Sequence, residues 1–236
     1  MTGRADNSSS RLELSFMLAV GSLIFFSGLF PLLPAGISAA IPQWAFLLLI
    51  TLPIQAGNIA SCVIPARYFC PDKPLRSTLD LKIPESHDFP MIIPGTIAIY
   101  FGLALITGIA IFMLRKAGIQ PQEQLAVTMI RNGPPLLLWI LIPVTVLLAP
   151  VGEELCFRHA IYKKLEADLG PVHSSWLTAL LFAAAHLNLQ VFPALFLLSL
   201  WLTALYRKTG SLLAPMISHA LFNIMTILLL FLTTPS

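Results

Sequence analysis

The chain has 236 residues, of which 57% are hydrophobic and only 11% charged, with a formal net charge of +3. A soluble domain carries roughly 25% charged residues, so this composition, with a mean hydropathy of +0.84, excludes one. The small charge calls for no nucleic-acid partner. The apolar runs are continuous, not alternating in units of roughly ten residues, which excludes a β-barrel and leaves an all-α polytopic membrane protein with room for about seven transmembrane helices.

The polar start, MTGRADNSSSRLE, precedes an apolar run from Leu14 to Leu33 with no convincing cleavage site, so the run reads as a retained first helix. Hydropathy predicts spans at roughly 14–34, 44–63, 90–114, 135–160, 174–188, 191–207 and 211–233. A loop rich in proline and charge, ARYFCPDKPLRSTLDLKIPESHD, separates the second and third. Between the third and fourth, IQPQEQLAVTMIRNG suits a short interfacial helix. Seven alternating spans put Arg4, Arg11, the Arg67–Lys82 loop, Lys163–Lys164 and Arg207–Lys208 on one side. The loops near 35–43 and 188–190 and the C-terminus lack Lys and Arg, giving N-in, C-out. Arg115, Lys116 and Arg131 fall on the outer side and run against that rule. Cys62 and Cys70 flank one loop segment and could pair if it lies outside; with Cys156 they make no zinc-ligand cluster, lacking CxxC or a close histidine.

Three of the later spans carry ionisable or polar groups, which are costly in a bilayer and mark a candidate site. Glu153, Glu154 and Arg158 end the fourth; Phe182 and His186 lie in the fifth; His219 and Asn223 lie in the seventh. At about 1.5 Å per residue, Glu153 is on the order of 15 Å from the positively charged face, His186 roughly 18 Å and His219 about 12 Å, so the three share a depth and can meet in an intramembrane polar cavity. Arg158 follows Glu154 by four positions and can pair with it. Glu153 points about 100° away, free to face that cavity as a general base. His219 and Asn223 share a face, and such neutral donors can hold an oxyanion. Hydrolysis of an amide or ester by an activated water fits these groups. There is no GxSxG nucleophile motif, and Cys156 reads as packing.

In order along the chain, EExxxR (Glu153, Glu154, Arg158), FxxxH (Phe182, His186) and HxxxN (His219, Asn223) resemble the motifs of the CAAX protease and bacteriocin-processing family, intramembrane glutamic endopeptidases. The resemblance covers about 135–230 and includes TGSLLAPMISHALFN; residues 1–134 carry no matched motif. It implies an all-α membrane helix bundle of about seven to eight transmembrane helices around an intramembrane polar cavity, with an N-terminal region of transmembrane helices and polar loops (1–134) followed by a catalytic helix bundle (135–236), and with no cofactor and no metal. Glu153 would activate water with His186, His219 and Asn223 would form the oxyanion site, and Glu154, Arg158 and Phe182 would support them. The substrate would be a membrane-embedded or lipid-anchored peptide, prenylated or tail-anchored. The family's usual glycine after the motif arginine is His159 here, a departure bearing on helix packing or substrate fit.

Other readings stay open on the sequence alone. Glu153, His186 and His219 could supply three zinc ligands, although HExxH is absent. A non-catalytic immunity factor or a proton-coupled transporter would use the same groups differently, although the repeated, broken halves of a transporter are missing. His87, His159 and His173 sit in or near polar segments and read as solvated. Trp44, Trp176 and Trp201 read as interfacial or lipid-facing aromatics. The compact length suggests a bacterial inner membrane, and nothing in the chain fixes an oligomeric state.

Overall fold

The structure is a computed structural model describing residues 3–32 and 42–233. Helices α1 (Gly3–Leu32) and α2 (Gln43–Phe69) pack on each other, and a loop with one helical turn, Leu75–Thr78, leads to α3 (Phe89–Lys116). A short α4 (Leu125–Asn132) stands where the interfacial helix was expected. Then follow α5 (Pro135–Pro143), a π-helical segment (Val144–Leu148), α6 (Ala149–Glu154), a second π-helical segment (Leu155–Tyr162) and α7 (Lys163–Ala185). Helices α8 (Phe192–Thr209) and α9 (Leu213–Thr233) complete the bundle. Each predicted span falls on one of these stretches. Residues 33–41, which hold the end of the first predicted span and most of the loop near 35–43, the last residues 234–236 and the side chains of Arg4 and Trp44 lie outside the described residues.

Three helical stretches among the described residues, Ser86–Lys116, Pro135–Ala185 and Leu213–Thr233, are long and apolar enough to cross a bilayer. Their outer surfaces agree: Phe101, Leu105, Leu136, Trp139, Leu228 and Leu232 are exposed, which is ordinary against acyl chains and a liability in water. The molecule is therefore an integral membrane protein. The long stretch Pro135–Ala185 is not one rod. Gly170 has φ 75° and ψ 169°, a backbone open to glycine and strained for other residues, and Pro171 restarts the helix with its fixed φ.

Two sets of contacts define the ends of the bundle. At one end Arg11 Nη1 donates to the Thr78 carbonyl at 3.4 Å, and Lys163 pairs with Asp80. There Tyr206 OH donates to Asp80 Oδ2 at 2.7 Å, Leu212 N–H donates to the Asp80 carbonyl at 2.9 Å, and Ser211 Oγ donates to the Lys82 carbonyl. The basic segments assigned to one side thus do meet. At the other end Asn188 Nδ2 donates to the Gln122 carbonyl at 2.8 Å, and α3 arrives there with Arg115 and Lys116 in its last turn. Burial raises the Asp80 pKa, but the adjacent His159 imidazole, the Lys163 charge and hydrogen bond, and the Tyr206 hydrogen bond outweigh it and hold the carboxyl well below its ordinary value.

Several expectations need correction. His159 is not solvated: it is 3% exposed, and its Nδ1 lies 3.6 Å from Asp80 Oδ2, because the loop after α2 folds back over the bundle end and brings a carboxylate to it. His87 and His173 are exposed, as read. Trp201 lines an apolar groove on the outside of the bundle with Ile99, Gly102 and Leu197, in keeping with its reading, while its Nε1 donates to Ser218 Oγ at 3.1 Å; a Cβ on Gly95 would meet its ring at 2.9 Å, so the missing side chain of Gly95 admits the indole between α3 and α9. Trp176 is exposed, in keeping with its reading. Cys62 and Cys70 are not paired; the thiol of Cys62 is buried and donates to the Leu155 carbonyl at 3.2 Å.

Candidate active site

The site begins with two departures from α-helical winding. The π-helical segments Val144–Leu148 and Leu155–Tyr162 bracket α6, which ends in Glu153 and Glu154. In the first of them the Ala149 N–H bonds to the Val144 carbonyl, five residues back. The same pattern would pair Thr145 with residue 150, but that residue is proline and has no N–H. Asn223 Nδ2, from α9, donates to the freed Thr145 carbonyl at 2.8 Å. Short π segments recur at functional positions, and this one is held open by a side chain from another helix.

Glu154 and Arg158 form the predicted pair, both 0% exposed, with Arg158 Nε 3.1 Å from Glu154 Oε2 and Nη1 donating to Oε1 at 3.1 Å. The other end of the guanidinium is used as well. Nη2 donates to both Ser199 oxygens, Oγ at 2.9 Å and the carbonyl at 3.1 Å, and the group stands 4.9 Å from the centroid of the Phe182 ring. A charge this deep persists only when it is paired; here Nε faces Glu154 Oε2 as an ion pair, and Nη1 and Nη2 supply the hydrogen bonds. Arg158 therefore joins three helices while balancing one carboxylate.

His219 faces both glutamates. Its Nδ1 lies 2.8 Å from Glu154 Oε1, so Nδ1 carries the proton and Glu154 accepts it; its Nε2 lies 3.8 Å from Glu153 Oε2. Glu153 is less enclosed, at 16% exposed. Its Oε1 accepts from Gln55 Nε2 of α2 at 3.3 Å, whereas its Oε2 is buried and has no hydrogen-bond partner. The two adjacent carboxylates differ in their charge partners: Oε2 of each lacks a hydrogen bond among the described residues, but Glu154 Oε2 is ion-paired with Arg158 Nε at 3.1 Å, whereas Glu153 Oε2 has only His219 Nε2 beside it at 3.8 Å.

His186 sits at the end of α7, with Nδ1 2.8 Å from the Phe182 carbonyl and its ring 4.8 Å from the Phe182 ring. Phe182 also meets His219 edge-on at 6.0 Å. The fully buried phenyl ring thus touches both imidazoles and Arg158. Among the described residues no hydrogen bond or ion pair joins His186 to Glu153, and no group of three His, Cys, Asp or Glu side chains converges tightly enough to hold a metal ion. Glu153, Glu154 and His219 come together directly, while His186 joins them through Phe182. Asn223 reaches the same region through Thr145. Cys156 is fully buried, as its packing role requires.

Two contributors were not foreseen. Ser199 shares an otherwise apolar stretch with Thr203, and nothing in that pair of hydroxyls marks a partner for Arg158. Gln55 did leave a signal: Gln55, Asn58 and Ser61 recur every three residues in an otherwise apolar segment, a buried polar stripe along α2.

This arrangement defines a class: a helical membrane protein with a buried cluster of two carboxylates, one imidazole and one guanidinium. Residues 135–225 match the family model described as Rce1-like, type II CAAX prenyl endopeptidase Rce1-like, and that segment contains all the motif residues from Glu153 to Asn223. The resemblance to the CAAX protease and bacteriocin-processing family holds over this segment, and it supports a CAAX-type intramembrane protease in general. Comparison with curated proteins and with solved structures gave no match.

Proposed function

We propose that the protein is a glutamic intramembrane endopeptidase that hydrolyses a peptide bond in a membrane-anchored substrate, prenylated or tail-anchored. The unengaged Glu153 Oε2, beside His219 Nε2, is the observation that supports this reading best. Glu153 takes a proton from water as the water oxygen bonds to the scissile carbonyl carbon. His186, with Nδ1 committed to the Phe182 carbonyl, offers Nε2 to the second water hydrogen and orients the attack. His219, anchored through Nδ1 on Glu154, stands with Asn223 at the developing oxyanion. Asn223 still has its second amide N–H for the same oxygen. Protonated Glu153 then returns its proton to the leaving amine as the C–N bond breaks.

The test uses the full chain in liposomes with a fluorogenic farnesylated peptide ending in a CAAX sequence, and native membranes of wild type and Glu153→Gln compared for accumulating peptides. The wild type is expected to cleave, and Glu153→Gln to accumulate uncut substrate without loss of folding. Near wild-type function in Glu153→Gln would instead point to a non-catalytic immunity or transport role.

A further inference from the structure

We infer that Gln55 is a positioning residue for Glu153, supplied by α2, outside the segment that carries the family motifs. This rests on the reading of Glu153 as the base. Four observations carry it. Gln55 is 4% exposed, and its amide nitrogen donates to Glu153 Oε1 at 3.3 Å. Its amide oxygen accepts from Asn58 Nδ2 at 3.4 Å, one turn further along α2. The Glu153 carboxylate, which only accepts, fixes which way the Gln55 amide faces, and Asn58 turns its Nδ2 toward the amide oxygen that this leaves. Third, Asn58 is itself 1% exposed, so its amide cannot swing out to water. Fourth, Gly152 leaves room for the amide: a Cβ there would stand 2.2 Å from Gln55 Oε1.

The consequence is a choice between two carboxylate oxygens. Gln55 occupies Oε1 and thereby directs the unengaged Oε2 toward His219, where a water can be held. A carboxylate rotating freely about its last bond would present a lone pair to that water only part of the time. Catalytic groups must hold their geometry to about 0.5 Å, and a buried amide anchored at both ends is a rigid means of doing so.

The test compares purified wild type with Gln55→Met, which keeps the length and loses the donor, and Gln55→Asn, which keeps a shortened donor. With the farnesylated CAAX peptide, Gln55→Met is expected to lose at least about tenfold in kcat with KM within about twofold, and Gln55→Asn to recover part of the loss. Independently of activity, the carboxylate stretching band of Glu153, isolated by infrared difference against Glu153→Gln, is expected to shift in folded Gln55→Met. An unshifted band, or wild-type kcat in folded Gln55→Met, overturns the inference. A wild type that cleaves no more than Glu153→Gln overturns the protease reading instead, whatever the band does. If Gln55→Met does not fold, the same band measured in Asn58→Leu decides: a shift supports the relay from Asn58 through Gln55, and no shift overturns it.

Discussion

The amide of Asn223 donates to the carbonyl of Thr145 at 2.8 Å, bridging two helices at the point where Pro150 withholds the backbone partner. Removing it strands a carbonyl inside the bundle. Asn223→Leu is expected to destabilise the protein by about 1–3 kcal/mol. Adding Pro150→Ala, which restores an N–H within reach of Thr145, should recover part of that loss. Thermal unfolding of the two variants in detergent checks both statements.

Breaking the buried pair should be more damaging than erasing it. Arg158→Met alone leaves Glu154 uncompensated except by His219, at a cost of about 3–5 kcal/mol. The double variant Arg158→Met with Glu154→Met should cost less than the two single losses added together. A double-mutant cycle on unfolding free energies measures the difference.

The close approach of Gly152 to Gln55 makes a small substitution consequential. Gly152→Ala places a methyl 2.2 Å from Gln55 Oε1, so either the amide leaves Glu153 or α2 withdraws from α6. Overpacking of this kind costs typically about 1–3 kcal/mol. Cleavage of the farnesylated peptide should fall at least tenfold (about 1.4 kcal/mol in the barrier), while an exposed glycine with open space, Gly102, should tolerate alanine.

Asp80 gives the fold an acid sensitivity. Its folded pKa lies below the ordinary aspartate value of 3.8, so its contribution is fully present above that value and is lost as pH falls toward the lower folded pKa. Asp80→Asn should therefore lower the melting temperature at pH 7, and the gap from wild type should narrow steadily below about pH 4. Melting curves across that range test the sign directly.

The helical spans were legible because each is a continuous apolar run. The Glu154–Arg158 pair was legible because four-residue spacing survives local changes in winding. The surroundings of Asn223 were not, since its partner is a backbone carbonyl exposed by a proline 73 positions earlier in the chain (223 − 150), and a sequence does not display winding. His159 misled for a related reason: flanking polarity suggested water, but the loop bearing Asp80 folds back to cover it. Depth counting brought His219 to Glu153 correctly and said nothing of the phenyl ring that connects His186 to them. Gln55 was visible only as a periodic polar stripe with no charged residue to draw attention to it.

Arg158 bears on how the chain is made. Its helix leaves the ribosome before Phe182 and Ser199, two of the groups that finally surround the guanidinium. During synthesis this cation has Glu154 for company but not its later partners, and it must wait at the edge of the lipid or within an insertion machine until α7 and α8 arrive. Completion of the reaction centre and burial of the charge are then one event in biogenesis, so a chain halted before residue 199 carries an unfinished, poorly inserted fourth span.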